Sequence, residues 1–184
     1  MLNSISPPPP DVPAFNLEEV HCMQAGLMQH AERVLGPRSH DLHVEPARFV
    51  RGTTGSATRF GRRIVIELES CAAMDWQCCA VELGHELVHA LDGVTGRSTW
   101  LEEGVACLFG LGQCVAMFEG APLYMCNGRY REATMMVASI PDQFSVIKAL
   151  RAKGTHLCSV TPLQLLELEP GMEAAAAAKL CRPF

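Results

Sequence analysis

Val81-Glu82-Leu83-Gly84-His85-Glu86-Leu87-Val88-His89-Ala90-Leu91 is followed a short way downstream by Trp100-Leu101-Glu102-Glu103-Gly104-Val105-Ala106. Residues four apart on a helix share a face, so His85 and His89 can offer two imidazole nitrogens to one tetrahedral ion. Glu86 directly follows the first histidine. Its carboxylate therefore falls beside such an ion rather than on it, within reach of a water molecule, which is the position of a general base.

A catalytic zinc takes three protein groups and leaves its fourth position to water or substrate. The metzincin arrangement would need glycine three residues and histidine six residues after His89, and the chain has Asp92 and Thr95 there. The remaining common solution is a carboxylate from a second helix, which the segment beginning at Trp100 supplies. With these two motifs the chain resembles the gluzincins, zinc peptidases that pair HExxH with a downstream glutamate, in their W-L-x-E-G-x-A form. Matched residue by residue, the resemblance implies Glu103 rather than Glu102 as the third ligand. It also implies one zinc ion as cofactor and a peptide or protein as substrate.

The spacing is geometrically workable. The first helix can end near Leu91, Gly93 and Gly96 allow a turn, and Trp100 to Phe109 reads as a returning helix capped by Thr99 or Ser98. Gly104 and Ala106 would permit the close packing that a carboxylate reaching a partner helix requires. If the histidines were instead satisfied core residues and Glu103 a solvated charge, much buried polarity would be left unexplained.

The chain's 184 residues suit one domain with its own core, and a hydrophobic fraction of 48% agrees with a globular protein. A net charge of -5 without a basic patch argues against general nucleic-acid binding. No apolar run approaches the ~20 residues of a membrane span. The amino terminus lacks the basic segment and apolar stretch of a signal peptide. The expectation is a cytoplasmic protein, or one exported without a recognisable leader. Residues 1–15 read as a proline-rich, flexible lead-in and residues 16–184 as one domain. The nine cysteines include no Cys-x-x-Cys pair. They read as reduced thiols packed as small hydrophobes, with a disulfide framework as the competing reading. Cys78, Glu82, His85 and His89 follow one helical stripe, which puts Cys78 either near the metal face or in the core.

The expected fold class is α+β with a helical C-terminal half. Apolar periodicity from Asn16 to Leu35 predicts a helix opened by an Asn16/Glu19 capping box. Short strands surround Leu42, Val44 and Phe49, and Arg62 to Leu68 is the clearest strand. The metal-binding helix spans Met74 to Leu91. Later helices are expected at 130–139, 143–153, 162–168 and 172–180. The gluzincin resemblance implies a short, mostly antiparallel sheet over the active-site helix, with an edge strand that binds extended substrate. That edge is assigned to Gly61 to Leu68. The segment from Gly128 resembles the tyrosine-bearing helix of gluzincin aminopeptidases, which implies Tyr130 as oxyanion donor, with Tyr124 and then His156 as substitutes. The competing role for Tyr130 is packing with a wet hydroxyl.

The chemistry implied is metal-assisted hydrolysis with Glu86 as general base. Asp92 either orients an imidazole or simply ends the helix. The aminopeptidase motif Gly-x-Met-x-Asn is missing, which favours an endopeptidase. Two alternatives stand beside this reading. One is a deformylase-like amidase with Cys71 as third ligand, and the other is a noncatalytic, zinc-stabilised binding module.

Overall fold

Val20, Met23, Leu27, Met28, Ala31 and Leu35 recur at helical spacing and are all buried, and they bring the first helix, α1 (Leu17–Leu35), onto the core. The computed structural model describes residues 11–39, 41–52, 54–93, 97–118 and 128–184. Pro7 to Pro10, Thr95, Gly96 and Tyr124 lie outside the described residues. The expected capping box at Asn16 does not form. The Asn16 amide instead donates backwards to the Val12 carbonyl at 3.1 Å, bracing a 3-10 turn at Pro13–Phe15. Within the proline-rich segment, residues 11–15 are anchored. Trp76 Nε1 donates to the Asp11 carbonyl at 2.5 Å, and Ala14 N–H donates to the Ala73 carbonyl at 3.0 Å.

Four strands follow α1, namely β1 (His43–Val44), β2 (Arg48–Phe49), β3 (Ser56–Phe60) and β4 (Arg63–Leu68). β3 and β4 form an antiparallel hairpin, while β1 and β2 both run parallel to β4. The expectation of a mostly antiparallel sheet is therefore corrected. The chain reverses after β2 and again at Gly61, whose φ of +64° suits glycine, so β4 re-enters in the original direction. β3 covers β4 from Arg63 to Glu67, so β1 and β2 follow one another along the opposite edge of β4. Strands of two residues are too short to announce themselves by alternation.

Between β1 and β2 the register slips by one residue, from His43 opposite Arg63 to Arg48 opposite Glu67. Pro46 lies in this break and has no N–H to give. Gln24 of α1 repairs it by donating to the Glu45 carbonyl and accepting from Ala47 N–H, both at 2.8 Å. The sequence assignment of the substrate-binding edge to Gly61 to Leu68 is also overturned. β4 is the central strand, with Ile64, Ile66 and Leu68 fully buried, and β3 is the edge.

Helices dominate the rest of the chain. α2 (Trp76–Asp92) is capped by Asp75, which accepts from Cys78 N–H at 2.7 Å, and ends on Gly93 in the left-handed conformation. α3 (Trp100–Met117) is capped by Thr99. It runs beyond the expected Phe109 because Gly110 acts as a packing point rather than a break. α4 (Gly128–Ala138), α5 (Gln143–Ala152), α6 (Pro162–Leu168) and α7 (Ala174–Leu180) complete an α+β fold. Among the described residues no helix is long and apolar enough to cross a membrane.

Candidate metal centre

α2 and α3 touch backbone to backbone at two glycines. A Cβ on Gly84 would lie 2.9 Å from Gly110 Cα, and one on Gly110 would lie 2.4 Å from the Val81 carbonyl. The sequence credited this approach to Gly104, but Gly104 faces elsewhere. A Cβ there would meet the Ala133 carbonyl at 2.5 Å, so Gly104 seats α4 rather than α2. One glycine pair thus brings Glu103 to the histidines, and the other glycine brings in the helix that carries Tyr130.

His85, His89 and Glu103 converge, each offering one ligand atom within 4.8 Å of the others. The two Nε2 atoms are 3.1 Å apart. His85 Nε2 is 3.2 Å from Glu103 Oε2, and His89 Nε2 is 3.6 Å from Glu103 Oε1. A tetrahedral zinc with bonds of 2.0–2.1 Å has ligand–ligand edges of about 3.3 Å, so these separations bracket the size of such a site. Glu103 Oε2 is buried without a well-directed hydrogen-bond partner despite its proximity to His85. Two nitrogens face each other, and a buried carboxylate oxygen is left over. This donor set fits a zinc ion.

His89 is gripped from its other side by Glu102, whose Oε1 lies 3.0 Å from Nδ1. Glu102 therefore takes the orienting position that the sequence considered for Asp92. Asp92 has other partners. Its Oδ1 accepts from Arg151 Nε at 2.9 Å, and its Oδ2 accepts from Leu157 N–H at 2.8 Å. It ties α2 to α5 as a structural carboxylate. His85 Nδ1 lies 3.5 Å from Cys107 Sγ.

Burial works against the His89 imidazolium, but the hydrogen bond it donates to Glu102 and the charges of Glu103, Glu102 and Glu86 outweigh it and lift the group to about 9. Burial also works against the Glu103 carboxylate, yet His85, His89 and Ser98 pull it down to about 2. Glu86 behaves differently. Its burial raises its pKa, although His85 and His89 oppose the shift, and Ala57 N–H donates to its carboxylate. A buried carboxylate beside two imidazoles, with a raised proton affinity, is suited to taking and returning a proton.

Tyr130 lies over the histidines, its ring 6.1 Å from that of His85, and remains 44% exposed. Phe184 packs against it at 4.8 Å and also meets Trp100 at 5.1 Å. The last residues reach this point through backbone pairing, in which Trp100 N–H donates to the Arg182 carbonyl and Phe184 N–H to the Ser98 carbonyl. His156 sits 3.9 Å from Asp92 and does not line the cleft, and Tyr124 lies outside the described residues. Cys71 joins Cys78 and Glu82, not the histidines, so the deformylase-like ligand set has no geometric counterpart. Sequence reading passed over the roles of Glu102, Phe184 and Ser98. Only Glu102, doubled with Glu103 in a helix's first turn, carried a local signal.

His85, Glu86, His89, Ser98, Glu102, Glu103 and Tyr130 line a cleft of about 270 Å³ whose other wall is Thr54 to Ala57 at the start of β3. A larger cavity, about 390 Å³, opens where Met136, Ile140, Met172 and Leu180 meet, and it contains no histidine or cysteine. Comparison with protein-family models, curated proteins and solved structures returns no match.

Proposed function

We propose that the chain is a zinc-dependent peptidase of the gluzincin type that cleaves internal peptide bonds. The observation carrying this reading is the convergence of His85, His89 and Glu103 at tetrahedral spacing, with Glu86 alongside. A zinc ion held there would lower the pKa of water to about 7 and polarise a carbonyl. Glu86 accepts the proton of the attacking water and returns it to the leaving nitrogen. Tyr130 donates to the developing oxyanion. Gly55 and Ala57, two apart on one edge of the strand, direct their N–H groups to Glu82 and Glu86. Their carbonyls share that edge and can accept from an extended substrate.

Zinc analysis and peptide cleavage on two variants test the proposal. Glu86→Gln should retain zinc and lose cleavage by about 10²–10⁴-fold, the usual worth of a general base. Glu103→Ala should release zinc. Unchanged cleavage by Glu86→Gln would remove Glu86 as the base, absence of cleavage by the zinc-loaded parent would leave a zinc-stabilised binding module, and full zinc retention by Glu103→Ala would move the ligand role elsewhere.

A further inference from the structure

One turn before the histidines, the same stripe of α2 carries a second cluster that the peptide chemistry does not use. Cys78 and Glu82 stand four apart on α2, and Cys71 approaches from the turn after β4. One ligand atom from each lies within 4.8 Å of the others. The Cys71 and Cys78 sulfurs are 2.9 Å apart. Glu82 Oε1 accepts from Glu69 N–H at 2.9 Å, which fixes the carboxylate against the loop that bears Cys71. Its Oε2 is buried and has no partner. Gly55 lets this carboxylate come close, since a Cβ there would lie 2.3 Å from Oε1.

We propose that Cys71, Cys78 and Glu82 form a second metal site for a soft divalent cation of the zinc type, with water completing its coordination. The sulfur–sulfur distance alone does not choose between this and a disulfide. A tetrahedral zinc with bonds of about 2.3 Å would hold the sulfurs about 3.7 Å apart, and a disulfide would close them to about 2.0 Å. Each requires a movement of less than 1 Å. Glu82 decides the matter. A disulfide uses two of the three groups and leaves the buried oxygen without a partner, whereas a cation takes all three. Cys71 is exposed, so the ion has a path from solvent.

Cobalt(II) added to the reduced full-length chain tests this site separately from the histidine site. Thiolate bound to cobalt absorbs strongly in the near ultraviolet, whereas a site of two histidines and a carboxylate has no thiolate to do so. The expected result is this absorption, with two cobalt ions per chain. The Cys71→Ser/Cys78→Ser variant should lose the absorption and one of the two ions while keeping its helical circular dichroism. Glu82→Gln keeps both thiols and should weaken binding of the absorbing ion at least tenfold. In His85→Ala/His89→Ala the absorption should persist, which separates failure of one site from failure of the other. Three results would overturn the proposal. They are no absorption when alkylation and mass spectrometry show both thiols free, a Cys71–Cys78 disulfide in freshly purified protein, or undiminished absorption in the double serine variant.

Discussion

Glu102 Oε1 lies 3.0 Å from His89 Nδ1, across the interface of two helices and away from the converging Nε2 atoms. Such a contact sets which ring nitrogen carries the proton and where the other one points. Glu102→Gln keeps the volume but removes the charge. Zinc affinity should fall about 10–100-fold, the usual effect of losing an orienting carboxylate, as read by competition with a chelator. An unaltered affinity would show that Glu102 serves only packing.

Gly84→Ala should disturb metal binding without touching a ligand. Its new methyl would press on Gly110 Cα and spread α2 from α3. A loss of about 1–3 kcal/mol in denaturant unfolding is expected from such overpacking, together with weaker zinc binding. Gly104→Ala presses on α4 instead, so its main effect should fall on turnover through Tyr130.

Tyr130→Phe removes one hydroxyl and leaves the ring against Phe184. If that hydroxyl donates to the oxyanion, kcat should drop about 10²-fold, with KM nearly constant. Equal kcat values for the variant and the parent would return Tyr130 to the role of a packing residue.

Asp92→Ala should behave as a stability variant. Arg151 is buried against Asp92, with Nη2 2.8 Å from Oδ1, and would be left charged without its carboxylate. A loss of about 3–5 kcal/mol is expected on breaking a buried pair, with zinc content per folded chain unchanged. Loss of zinc from the folded variant would restore the orienting role to Asp92.

His30 offers a pH test away from the His85–His89–Glu103 cluster. Burial, followed by the neighbouring Arg33, lowers its pKa below 6.5. The unfolded chain therefore binds this proton more readily than the native one. The associated stability is present above about pH 6.5 and is lost as pH falls through the lower, folded value. Nuclear magnetic resonance should give a His30 midpoint below 6.5, and a midpoint at or above that value would contradict the burial.

Much of the site was legible because its chemistry is local. His85, Glu86 and His89 share one helix, so their common face follows from a spacing of four. Glu103 stands in the first turn of a second helix whose cap, Thr99, was also legible. α4, α5, α6 and α7 were found close to their expected limits because apolar period and caps act over a few residues. The sheet was not legible in the same way. β1 and β2 have two residues each, and their parallel course depends on where a later hairpin inserts.

The sequence by itself determined the helices, the identity of the converging donors and the stripe that joins Cys78, Glu82, His85 and His89, since all of these depend on residue type and helical period. Only the tertiary structure decided that Glu102 rather than Asp92 braces His89, that β3 rather than β4 forms the edge, and that Cys71 meets Cys78 beside a partnerless Glu82 oxygen. Each of those outcomes depends on contacts between segments far apart in the chain: Gly84 and Gly110 let α2 and α3 meet, Gly55 admits the Glu82 carboxylate, and the β3–β4 hairpin puts β4 between its neighbours.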